Sequence, residues 1–278
     1  MTPRACATAP SARSAFPATV LSTILGGALV AWLAGCTTTR EGPPDPMYNR
    51  QANQETSGQT RARIHTELGA GYYARGQHEI ALEELNAALR DDAGYAPAYG
   101  VLGLVYSELR DDAQAERNFQ RAVELSPQDP EVRNNYGWFL CQRGREVQAI
   151  SQFELAIRNP FYRTPDMALV NAGRCASRIG DRKGAEAYFQ RVLAVAPTNG
   201  PANFFLTELA YKSGDLPLAR TRMRGVMQSA PSAEGLMLGI CIERKLGNKT
   251  EESGYVYQLR QRFPNAKEIK LIDSGGCL

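Results

Sequence analysis

The chain has 278 residues, 43% of them hydrophobic and 22% charged, which is enough apolar content for a folded core. Its formal net charge is only +3, and no basic stretch interleaved with aromatics occurs, which argues against a nucleic-acid partner.

The amino terminus comes first. Arg4 and Arg13 precede an apolar stretch from Ala15 to Leu33 that ends in Leu33-Ala34-Gly35-Cys36. A basic start followed by an apolar core marks residues 1–35 as a signal peptide. The competing reading, a retained spanning helix, needs about 20 apolar residues, which this stretch nearly offers. The ending favours cleavage: Leu-Ala-Gly-Cys is similar to the bacterial lipobox, which implies that Cys36 becomes the new amino terminus and carries diacylglycerol and a further acyl chain. Several acyl chains anchor a protein firmly without any helix. Thr37 stands where lipoproteins retained in the inner membrane often carry Asp, which implies the outer membrane, with the protein facing the periplasm.

Residues 36–61 contain Thr-Thr-Thr, Gly-Pro-Pro-Asp-Pro and then Gln, Asn and Ser, with hardly an apolar side chain. Such a segment is expected to be a flexible tether with a mean reach of roughly 25 to 30 Å.

From residue 62 the sequence repeats with a period of 34. A small residue stands at the eighth position (Gly69, Gly103, Gly137, Gly173), and Gly recurs at the fifteenth (Gly76, Gly144, Gly180, Gly214). Alanine follows at the twentieth (Ala81, Ala115, Ala149, Ala185, Ala219), and a large apolar residue at the twenty-fourth (Leu85, Phe119, Phe153, Phe189, Met223). Leu68, Leu102 and Leu206 hold the seventh position. A helix of about 14 residues ended near the Gly, a turn, and a second helix ended by Pro127, Pro197 or Pro231 form an antiparallel pair. The small residues let the helix axes approach, and the large one fills the wedge beyond them. One pair cannot bury its apolar face alone, so the units stack into a solenoid. The pattern resembles the tetratricopeptide (TPR) repeat. The fold expected is all-α, a right-handed solenoid of about six helix-turn-helix repeats at 62–95, 96–129, 130–163, 166–199, 200–233 and a degenerate 234–264, with a tail at 265–278.

Six cysteines are present. Cys6 leaves with the leader and Cys36 carries lipid. A periplasmic address permits disulfides among the rest. Cys141 and Cys175 fall on the first helices of the third and fourth units, which neighbour each other in the stack, so a bridge between them is expected; the competing reading is two buried thiols acting as small hydrophobes. Cys241, in the degenerate pair, and Cys277, in the Gly-Gly tail, have no register argument joining them.

The junction after the third unit is two residues longer than the period allows. It reads Asn159-Pro160-Phe161-Tyr162-Arg163-Thr164-Pro165, and its prolines forbid a continuous helix. Together with Asn135-Tyr136-Gly137-Trp138-Phe139-Leu140-Cys141, Asn171-Ala172-Gly173-Arg174-Cys175, the later Leu259-Arg260-Gln261-Arg262-Phe263-Pro264 and the lipobox, it resembles the type IV pilus biogenesis and stability lipoproteins, PilF/PilW. The likeness covers nearly the whole mature chain. It implies a pilotin, an outer-membrane lipoprotein that binds the pilus secretin, brings it to that membrane and promotes or stabilises its multimer. The alternative is a periplasm-facing TPR lipoprotein adaptor of another envelope machine, serving outer-membrane protein assembly or recruitment of peptidoglycan hydrolases.

In a TPR unit the first helix lines the concave face. Its register gives Thr66, Ala70 and Tyr73 in the first unit; Gly100, Leu104 and Ser107 in the second; Asn134, Trp138 and Gln142 in the third. The fourth contributes Val170, Arg174 and Arg178, and the fifth Phe204, Glu208 and Tyr211. Tyr73, Leu104, Asn134, Trp138 and Arg174 are the candidate groove for a protein segment. Trp138 is either an interface anchor or a ring packed between first helices. Arg174 and Arg178, one turn apart, form either a carboxylate clamp or a solvated pair.

An enzyme needs a constellation that this sequence lacks. His65 and His78, the only two histidines, have no Cys or acidic partners at metal spacing. Neither a phosphate loop, a nucleophile elbow nor an HExxH motif occurs. Catalysis, a cofactor, a metal and a small-molecule substrate are therefore not expected, and the capped ends of a solenoid suit a monomer.

Overall fold

The structure, a computed structural model, describes residues 56–277. Cys36, the leader and residues 37–55 of the expected tether lie outside them. Thirteen helices and no strand occur among the described residues. They come as consecutive pairs: α1 (Ser57–Ala74) with α2 (His78–Asp91), α3 (Ala96–Glu108) with α4 (Asp112–Leu125), and α5 (Pro130–Gln142) with α6 (Glu146–Ile157). Next follow α7 (Pro165–Arg178) with α8 (Arg182–Val195), α9 (Gly200–Lys212) with α10 (Leu216–Gln228), α11 (Ala233–Leu246) with α12 (Lys249–Arg262), and finally α13 (Lys267–Asp273).

The partners of each pair pack along their length, and each second helix meets the first helix of the next unit. First helices also touch one another from α1 through α11, which puts them on the inner side of the stack. The close approach is visible at the eighth position. A Cβ on Gly103 would come within 2.7 Å of the Phe119 ring, and one on Gly173 within 2.6 Å of the Phe189 ring. The fifth unit departs from this rule and compensates for it. Thr207 replaces the Gly and turns its hydroxyl back to the Asn203 carbonyl at 2.8 Å, and the flexible Met223 stands at the twenty-fourth position where the three preceding units carry Phe. At the fifteenth position Gly76, Gly144, Gly180 and Gly214 take positive φ, and in the second unit Arg110 adopts the same left-handed conformation at φ 64°.

Two expectations change, and one repeat position differs between units. The helical part begins at Ser57, not at residue 62, because Thr56 and Gln59 form a reciprocal capping box that starts α1 inside the expected tether. The tail at 265–278 contains α13, which packs on α11. Leu68 holds the seventh, core-facing position yet is 44% exposed, whereas Leu102 in the next unit is 4% exposed. That position packs against the preceding pair, and among the described residues the first unit has none.

The linker at 159–165 is packed, not loose. Asn159 donates to the Gln128 carbonyl at 2.8 Å, and Thr164 donates to Glu131 at 3.0 Å. Tyr162 is buried in the same cluster as Cys141 and Cys175.

Candidate functional site

Cys141 and Cys175 are bonded in the structure, with Cα atoms 6.0 Å apart, so α5 and α7 are joined directly. Cys241 and Cys277 are also joined, across Cα atoms 5.6 Å apart. The second link ties the end of the chain to α11. Two further contacts hold α13 in place. Arg260 donates to Asp273 at 2.6 Å, and Arg244 donates to the carbonyls of Gly275 and Gly276 at 3.0 and 3.1 Å. A seven-residue helix has little stability of its own, so these tethers are what position α13.

The inner surface of α7 and α9, the α10–α11 turn and α13 enclose an open groove of about 1000 Å³. Val170, Phe204, Phe205 and Leu271 give it apolar walls, and Arg174, Glu208, Glu234, Lys267 and Glu268 are its charged groups.

Arg174 is the pivot of this groove. Its guanidinium carbon lies 4.6 Å from the Trp138 ring centre and 5.3 Å from that of Phe205, so helices α5, α7 and α9 meet on one cation. Among the described residues it makes no hydrogen bond or ion pair, which leaves its N–H donors unused. Burial holds its pKa below the ordinary arginine value and nearby Arg178 adds to this, while Glu208 and Glu234 act in the opposite sense. Arg178 turns away and pairs with Glu146 at 3.2 Å, so the two arginines do not form a clamp.

The expected groove residues therefore divide. Trp138 and Arg174 come together. Asn134 is 4% exposed and accepts from Asn171 at 3.1 Å, which makes it a buried link between α5 and α7 and not a surface contact. Leu104 packs against the central core, and Tyr73 stands in the first unit beside His78 with ring centres 6.1 Å apart; neither reaches the groove. Burial, with Glu108 adding, pushes the Tyr73 hydroxyl above its usual pKa. Phe205 and the α13 residues were absent from the sequence-based groove. The only signal for α13 was the Ile269, Leu271 and Ile272 apolar spacing after Pro264.

Known proteins share this architecture. Models of the tetratricopeptide repeat match residues 96–129, 118–151 and 168–202. The type IV pilus assembly protein PilF of Pseudomonas aeruginosa is 25% identical over 243 residues, covering 87% of this chain and 94% of that protein. Its solved structure, 23% identical, superposes with a TM-score of 0.68 over 79% of this chain and 100% of its own. The crystal structure of PilW, described as a widely conserved type IV pilus biogenesis factor, gives the same TM-score of 0.68 over 76% of this chain. At 31% identity across 97% of the PilW chain, the likeness shows that this chain belongs to the PilF/PilW family of tetratricopeptide-repeat proteins of type IV pilus biogenesis.

Proposed function

We propose that the protein is an outer-membrane lipoprotein, anchored through acylated Cys36 and facing the periplasm, that binds the pilus secretin and promotes its multimer. The protein acts by holding a partner and not by catalysis. The observation that carries this reading is the open groove with aromatic walls and an unpaired arginine, in a chain whose family works in pilus biogenesis. The lipobox at 33–36 supports the membrane address. The test is deletion of the gene, followed by measurement of the amount and heat-resistant multimer state of the secretin in outer membranes. Loss of multimer, restored by the intact gene and not by Cys36→Ala, is the expected result. Normal secretin multimers without the protein refute the reading.

A further inference from the structure

Glu268 lines the groove from the α13 side and is 6% exposed, yet among the described residues its carboxylate has no hydrogen bond and no ion pair. Most of the residue is covered, but the carboxylate oxygens are not among the buried unpaired atoms, so they keep contact with the open groove and are free to accept from a cation. The α7 side of the groove carries Arg174, whose guanidinium is positioned by two rings but, among the described residues, donates to nothing. Its planar fork of donors matches a carboxylate, and its rings fix the orientation before anything binds. Phe204, Phe205 and Leu271 add apolar surface to the same space, alongside the charged Glu208, Glu234 and Lys267. The α13 wall is held by a disulfide and two arginine contacts, so the groove is built in advance of a ligand.

We infer that this C-terminal groove receives a segment of the secretin with apolar side chains against Phe204, Phe205 and Leu271, a carboxylate on Arg174, and a lysine or arginine on Glu268. The inference rests on the secretin-binding reading above. A volume of about 1000 Å³ lies at the upper end of small-molecule sites and suits several residues of peptide. Charges of opposite sign on two different helices, Arg174 on α7 and Glu268 on α13, give the segment a direction.

The test uses the full-length protein in detergent. Fluorescently labelled overlapping peptides that span the periplasmic part of the secretin are titrated and followed by anisotropy, and the whole purified secretin is assayed in parallel. One peptide region should bind, and Arg174→Gln and Glu268→Gln should each weaken it at least about tenfold while circular dichroism shows both variants fully folded at the assay temperature. Glu268→Lys should bind better to the same peptide with its basic residue replaced by glutamate. Cys277→Ser, which releases the wall without entering the groove, should also weaken binding. If whole secretin binds equally to wild type and to both glutamine variants, the groove assignment is wrong and the secretin reading stands. If neither whole secretin nor any peptide binds, both are wrong.

Discussion

The Arg174 guanidinium carbon lies 4.6 Å from the centre of the Trp138 ring, a contact between neighbouring units that neither residue's own helix requires. A cation held this way by a half-buried indole contributes on the order of 1 kcal/mol. A double-mutant cycle of Trp138→Ala and Arg174→Ala, measured by urea unfolding, should show a coupling of about that size. Strict additivity would mean that the two side chains only share space.

The glycines of the stack should respond oppositely to the same substitution. At Gly103 a Cβ meets the Phe119 ring at 2.7 Å, so Gly103→Ala should cost about 1 to 3 kcal/mol. Nothing lies within 4 Å of a Cβ at Gly254 in α12, where Gly254→Ala should gain roughly 0.5 to 1 kcal/mol. Equal effects at the two sites in thermal unfolding would contradict the packing described.

Leu68 and Leu102 occupy the same register but different environments, 44% and 4% exposed. Leu102→Ala should destabilise by about 2 to 4 kcal/mol. Leu68→Ser should fall within about 0.5 kcal/mol of wild type. A large loss at Leu68 would show that something covers this edge of the first unit.

Replacing both Cys141 and Cys175 by alanine opens a loop of sequence separation 34, and the expected loss is about 3 to 4 kcal/mol. Reductant should lower the melting temperature of the wild type but much less that of the double variant. Alkylation of either cysteine in the native oxidised protein would argue against the bridge.

Acid should loosen ion pairs both between units and within the last pair. For Glu116, burial alone would raise the carboxyl pKa, but hydrogen bonds from Tyr136 and Arg145 outweigh it and hold the value below the usual range. Asp112, through a hydrogen bond from Arg143, and Glu252, through one from Arg244, are also lowered. Groups with depressed folded values contribute stability that is fully present above the unfolded value, near pH 4.3 for glutamate, and is lost as pH falls through the folded value. Melting temperature should therefore drop below about pH 4.5, and Glu116→Gln should make that drop shallower. An unchanged slope in the variant would place the acid sensitivity elsewhere.

The sequence alone determined the helical pairs, their order and their close contacts. The reason is that a period of 34 places the small residue of one helix against the large residue of the next, as with Gly173 and Phe189, and this depends only on local spacing. The Cys141 and Cys175 pairing was legible because the two residues fall on the first helices of adjacent units, which neighbour each other in the stack. Asn134 shows the limit of that register: it marks a helix face, but whether the face is open depends on the neighbouring Asn171, which bonds to it and buries it. The groove lay further out of reach, because its walls come from residues as distant in sequence as Arg174 and Glu268. Glu268 sits there only because α13 folds back and is tied by Cys277 to Cys241, a long-range contact that no local periodicity encodes. Periodicity decided the stack, and the return of the chain end onto it decided the site.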